Sequence, residues 1–186
     1  MNCIEKIEND NILRWTMLLH KESEESARSI LKKLKFDNYT IKRVCMLVKY
    51  HSINIVSLPQ CVKKVVSIIG DEMFLKLMKI KEAIFSVEVN HYLNKSKKLK
   101  NSELEKYYEL EKKKIDKIIF IYHSAKEKGE CMNIKELAVN GNDLVNIGFK
   151  EGKRIGEILK ILLEIVIQQP DMNSKEDLLR LAASHL

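Results

Sequence analysis

The sequence is poor in the residues that interrupt helices. It holds two prolines and six glycines among 186 residues, a scarcity that favours helices over a turn-rich β fold. It also lacks an apolar run of the roughly 18 residues that a membrane span requires. The first ten residues, MNCIEKIEND, are polar and acidic, unlike the leader of a secreted protein. We therefore expect a cytoplasmic protein that contacts no membrane.

Residue patterns for metal binding and catalysis are missing as well. The four cysteines, at positions 3, 45, 61 and 131, show no Cys-x-x-Cys spacing, and no histidine stands at ligand spacing from them. No serine or cysteine lies in a recognisable nucleophile motif. The chain also has no Asp-x-Asp pair and no paired glycines. We predict that it supplies no catalytic residue, no metal ligand and no cofactor site.

One alternative interpretation starts from His20-Lys21. Metal-dependent phosphohydrolases of the HD type are all-helical and use a His-Asp pair with a further His and Asp. Lysine stands here at the Asp position, and a protonated lysine repels a metal ion instead of binding it. This chain would therefore be a degenerate member of that class, and packing or surface roles are expected for its five histidines.

Positive charge is in excess and unevenly placed. The formal net charge is +7 and the isoelectric point is about 9.1. Residues 51–100 hold nine lysines against four acidic residues. Such a concentration indicates a polyanionic partner, most commonly a nucleic acid. The alternative is a lysine-rich surface that only contacts solvent.

Apolar residues recur at spacings of three and four along most of the chain, which predicts helices. The lysine-rich segment 94–100, NKSKKLK, breaks this pattern and is the predicted linker. We predict an all-α protein with two packed helical subdomains, a body-like one at 1–93 and a tail-like one at 101–186. Helix starts are expected at capping residues or proline, namely Ser23, Asp37 or Asn38, Pro59, Asn133 with Glu136, and Asn173 with Glu176.

Glycines cluster in one segment, Leu137–Leu163, which carries four of the six. A polar turn is predicted at Asn140–Asp143, and an amphipathic helix is predicted to begin near Gly152. Glycine inside a helix costs about 0.5–1 kcal/mol relative to alanine. The cluster therefore indicates that the backbone approaches something closely, either another helix or a phosphate at a helix N-terminus.

Basic residues flank the predicted helix starts. Backbone N–H groups and the helix dipole favour an anion at such an end, and an adjacent arginine can bind a phosphate through two nitrogens. Lys63 and Lys64 are one such basic pair, near the start of the helix predicted to begin at Pro59. The alternative is that these side chains form ordinary solvated faces. The candidate RNA- and phosphate-binding residues are Lys150, Gly152, Lys153, Arg154, Lys42 and Arg43.

The order of these motifs resembles that of a known family. The glycine segment, its leucine-rich helix and the following Pro170 and Asn173 look like the C-terminal region of bacterial CCA-adding tRNA nucleotidyltransferases and of their relatives, the bacterial poly(A) polymerases. A second match, formed by Arg14–His20 and Ile30–Phe36, resembles the opening of the same region. The two matches stand in the family's order and at about its spacing.

The resemblance implies a fold and a function. The fold would be the helical body and tail of a class II CCA-adding enzyme, and the partner would be tRNA, gripped on its elbow and acceptor-TΨC side by shape and phosphate contacts. Mg²⁺ and CTP or ATP would belong to a catalytic head, whose metal-binding Asp-x-Asp this sequence lacks. Whether the chain acts as an enzyme then depends on attachment to such a head. A third interpretation is a protein-interaction module whose glycines serve helix packing alone.

Overall fold

The computed structural model of the chain describes residues 9–95, 101–150 and 152–185. Within these ranges the regular structure is helical and includes no strand, so the all-α prediction is confirmed. No helix in the described ranges has the length and apolar character needed to cross a membrane. The α-helices are α1 Asn11–Leu19, α2 Glu24–Lys33, α3 Asn38–Tyr50, α4 Pro59–Ile69, α5 Asp71–Lys95, α6 Asn101–Glu127, α7 Gly141–Asn146, α8 Lys153–Gln168 and α9 Lys175–Ala183.

The first compact unit, unit 1, combines the residues up to Ile55 with Asp71–Ile119. In it α3 packs against α1, α2 and α5. Burial of apolar side chains between these helices, at roughly 1.5–3 kcal/mol for each large side chain, is the main favourable contribution to the stability of this unit. The core of α1 to α3 is formed by Leu19, Ala27, Leu31, Ile41, Val44, Cys45 and Val48.

The second compact unit, unit 2, combines Val56–Gly70 with the chain from Phe120 onward. Its centre is α8, which packs against α4, α7 and α9. Inward-facing residues of α8 recur at the helical spacing of three and four: Ile158, Leu159, Leu162, Leu163, Val166 and Ile167. The core around them is completed by side chains from other parts of the unit, among them Cys131, Val139, Leu144, Phe149 and Leu178.

The two units differ from the predicted subdomains 1–93 and 101–186 in two ways. Helix α4 belongs with α8, far along the chain, and residues 101–119 of α6 belong to unit 1. The helical periodicity of α4 shows which of its faces is apolar but not which helix covers that face. Of the predicted linker 94–100, residues 94 and 95 continue α5, and residues 96–100 lie outside the described residues.

Most predicted helix starts agree with the structure. Ser23 accepts a hydrogen bond from the backbone N–H of Ser26, and Asp37 accepts one from that of Thr40. The cap predicted at Asn173 with Glu176 is wrong, because Ser174 caps α9 by accepting from the N–H of Asp177. The predicted turn at Asn140–Asp143 is instead the capped first turn of α7.

Candidate nucleic-acid interface

The turn that leads into α8 depends on two glycines. Gly148 has a φ of +113° and Gly152 a φ of +125°, a region that residues with a Cβ rarely adopt. A Cβ added at Gly152 would have no atom within 4 Å, whereas one added at Gly141 would lie 3.3 Å from Cγ2 of Ile155. Close helix packing therefore explains Gly141, and backbone conformation explains Gly152. The space beside Gly152 is open.

The first turn of α8 is positively charged and exposed. Gly152 is its N-cap and supplies no side-chain hydrogen bond, and no acidic residue lies in the first turn. Lys150 is exposed, and the side chain of Lys153 is 94% exposed, with its Nζ 3.8 Å from a carboxylate oxygen of Glu157. An uncapped helix N-terminus with cations beside it attracts anions.

Arg154 is exposed as well but has a bond within unit 2. One of its terminal nitrogens donates to the backbone carbonyl of His185, 2.9 Å away, just after α9. A guanidinium has five N–H donors, so this bond leaves others for a phosphate. In the sequence, Glu151 and Glu157 lower the net positive charge of this stretch, which indicates a weak anion site rather than a tight one.

The second predicted pair, Lys42 and Arg43, lies in unit 1 and is divided in its roles. Lys42 is exposed. Arg43 donates to a carboxylate oxygen of Glu72 at 2.7 Å, and its guanidinium carbon lies 3.9 Å from the ring centre of Tyr39. The bond to Glu72 ties α3 to α5, whereas the contact with Tyr39 lies within α3. The side chain of Arg43 is only 22% exposed and its charge is already paired with Glu72, so Lys42 is the more accessible cation of the two.

Lys63 and Lys64 are neighbours in sequence with opposite environments. Lys63 is buried, and its Nζ donates to a carboxylate oxygen of Glu130 at 2.8 Å. Lys64 is exposed and lies 3.5 Å from a carboxylate oxygen of Glu164. Lys63 is therefore not accessible to a polyanion. The sequence held a signal for this, since Lys63 stands among the inward-facing residues Val62, Val65 and Val66 of α4.

The residues behind the phosphohydrolase alternative line a cavity of about 540 Å³ in unit 1. His20 and His51, which sequence reasoning did not connect, meet there with ring centres 5.9 Å apart and ring planes 89° apart. Lys21 and Lys81 also line the cavity, and burial lowers the pKa of Lys81 to about 8. Within the described ranges no group of three or more His, Cys, Asp or Glu side chains is placed to hold a metal ion.

Comparison with known protein families finds a match over nearly the whole chain. Residues 7–182 match the family described as tRNA nucleotidyltransferase domain 2. No curated protein and no solved structure shows a significant match.

Proposed function

The chain belongs to the tRNA nucleotidyltransferase domain 2 family, and from this membership we propose that it binds tRNA on behalf of a nucleotidyltransferase reaction. It would hold the elbow and acceptor-TΨC side of tRNA through shape and phosphate contacts. Double-stranded RNA is recognised mainly in this way, because its deep major groove hides the base edges. The match over residues 7–182 is the observation that carries the proposal.

The contact we propose for unit 2 is the start of α8. Lys150, Lys153 and Arg154 are exposed around an N-terminus that has no side-chain cap. Each phosphate that they neutralise releases condensed counterions, which makes binding weaken as salt rises. Lys42 is the accessible cation that we propose for unit 1, with Arg43 holding Glu72.

The experiment is a tRNA titration at several salt concentrations with two double variants. Lys153→Ala/Arg154→Ala should reduce the slope of log affinity against log salt by roughly one to two units, since each lost phosphate contact contributes about 0.7–0.9. The matched control, Lys112→Ala/Lys113→Ala, removes the same charge from an exposed face of α6 and should change the slope much less. Lys153→Ala alone avoids the Arg154 bond to His185 and should give about half of the effect of the double variant.

Equal slopes for the two double variants would contradict the α8 contact. Salt-independent binding, or no binding, by the unaltered chain would contradict the tRNA proposal and favour a protein-interaction module. Circular dichroism of each variant shows whether its helices are retained.

We also propose that the nucleotide chemistry belongs to a separate head domain, which would hold Mg²⁺ and CTP or ATP. The chain has no Asp-x-Asp pair, and two-metal phosphoryl chemistry needs such carboxylates. The purified chain should therefore incorporate no labelled CMP or AMP into tRNA in the presence of Mg²⁺. Incorporation that copurifies with the chain would contradict this. The parent reaction would add CCA or poly(A) to the RNA. The cytoplasmic location stays a prediction.

A further inference from the structure

The cavity in unit 1 has features that the tRNA proposal does not use. We propose that it binds a small organic anion, whose flat apolar body lies against Phe85 and whose acidic group is held by Lys81 and Lys21. We call it the histidine cavity because His20 and His51 lie side by side in its wall. Its volume of about 540 Å³ falls within the range of roughly 300–1,000 Å³ common for small-molecule sites.

Lys81 in the cavity wall is incompletely paired. Its Nζ donates to the backbone carbonyls of His51 at 2.7 Å and Ile53 at 2.6 Å. No carboxylate among the described residues pairs with it. A lysine ammonium has three donors, so one remains, and a partly buried charge without a counter-charge is costly. The lowered pKa, about 8, reflects that cost, and an anion in the cavity would supply the missing charge.

The two histidines place further polar atoms in the wall. His20 Nδ1 lies 2.7 Å from the carbonyl oxygen of Met17, and His51 Nδ1 lies 2.7 Å from that of Val48. A carbonyl oxygen accepts, so both Nδ1 atoms must carry the proton. With the proton on Nδ1, the Nε2 atom of a neutral imidazole is an acceptor, which suits a ligand with a hydroxyl or N–H group beside its acid.

Isoleucine and phenylalanine side chains supply the apolar part of the wall. Ile55, Ile115 and Ile118 are all buried. The Phe85 ring stacks on Tyr108 with ring centres 5.6 Å apart and planes 8° from parallel, which holds the ring in place. Such a wall favours a flat apolar body over a bare inorganic ion.

The charges of the other lining residues decide how strongly an anion is attracted. Glu111 pairs with Lys114, so these two largely cancel. Lys21 and Glu88 are exposed at the rim and oppose each other. Removing the charge of Lys21 should therefore lower the affinity for an anion, and removing that of Glu88 should raise it. Neither change disturbs a bond in the core.

The test is a fluorescence titration with 8-anilinonaphthalene-1-sulfonate, using N-phenyl-1-naphthylamine as the neutral analogue without the sulfonate. Lys81→Met should weaken sulfonate binding at least about tenfold, the value of a hydrogen bond to a charged group. Lys21→Gln should weaken it about two- to fivefold and Glu88→Gln should strengthen it by a similar factor, as expected for exposed charges. Lys113→Gln, an exposed lysine of α6 outside the cavity, should leave it unchanged.

Lys81→Met also removes the bonds to the loop after α3, so its helix content is checked by circular dichroism. Lys21→Gln and Glu88→Gln make no such change and test the proposal even if Lys81→Met unfolds. Opposite shifts for these two, with an unchanged response to the neutral analogue, would support the histidine cavity. Absence of sulfonate binding, equal affinity in all four variants, or the same shifts with the neutral analogue would overturn it. The tRNA titration of the Lys153 and Arg154 variants can fail or succeed independently of this test, because that contact lies in unit 2.

Discussion

The buried ion pair of Lys63 and Glu130 gives the strongest stability prediction. The Lys63 side chain is 3% exposed and that of Glu130 is 22% exposed, and the two charged atoms are 2.8 Å apart. Glu130→Ala would leave a buried ammonium without its counter-charge. Breaking a buried pair from one side costs about 3–5 kcal/mol, and the partial exposure of Glu130 places our expectation near 3 kcal/mol.

A matched control lies one residue further along α4. Lys64 and Glu164 are 61% and 63% exposed and 3.5 Å apart, so Glu164→Ala should cost about 0–1 kcal/mol. Replacing both members of the buried pair, with Lys63→Met and Glu130→Gln, should recover most of the loss, because no unpaired buried charge remains.

The assay is urea unfolding followed by circular dichroism, with thermal unfolding as a second measure. For a chain of this size a loss near 3 kcal/mol corresponds to a fall in Tm of roughly 6–12 °C. If Glu130→Ala and Glu164→Ala lose the same stability to within about 0.5 kcal/mol, the reasoning from burial is refuted. Failure of the double variant to recover stability would show that the cost arises from packing and not from charge.

The remaining predictions concern the start of α8 and the acid sensitivity of unit 1. Gly152→Ala should destabilise the protein by about 1–3 kcal/mol, because the φ of Gly152 is +125°. Gly156→Ala should instead stabilise it by about 0.5–1 kcal/mol, because Gly156 lies within α8 and its added Cβ would have nothing within 4 Å. If urea unfolding gives both variants a change of the same sign, the described start of α8 is contradicted. Burial raises the pKa of Asp10, but hydrogen bonds from Lys76 and from the N–H groups of Leu13 and Ile12 outweigh it and hold the pKa below its ordinary 3.8. The ionised Asp10 carboxylate therefore contributes stability above pH 4, and this contribution is lost as pH falls through the lowered pKa. The stability difference between Asp10→Asn and the unaltered chain, measured by urea unfolding, should accordingly close in acid, and a difference that stays constant down to pH 2 would be inconsistent. Asp116→Asn, at an exposed residue of α6, is the control.

The local features of the fold were predictable from the sequence. The all-α class, the start of α2 after Ser23 and the start of α3 at Asp37 or Asn38 all agree with the structure. A cap is made within about three residues, so the sequence contains both of its partners. The family resemblance was also readable, because the order of glycines and apolar stripes is a property of the chain.

Contacts between distant segments were decided by the tertiary structure alone. Asn173 was the predicted cap of α9, yet its side chain bonds the N–H of Ala138 and the carbonyl of Glu136. Periodicity likewise could not predict the ion-pair partners of Lys63 and Lys64, because these partners, Glu130 and Glu164, lie far along the chain. The pairing of His20 with His51 arises because the ends of α1 and α3 meet in unit 1. Hydrophobic spacing specifies a buried face, and only packing specifies which residues cover it.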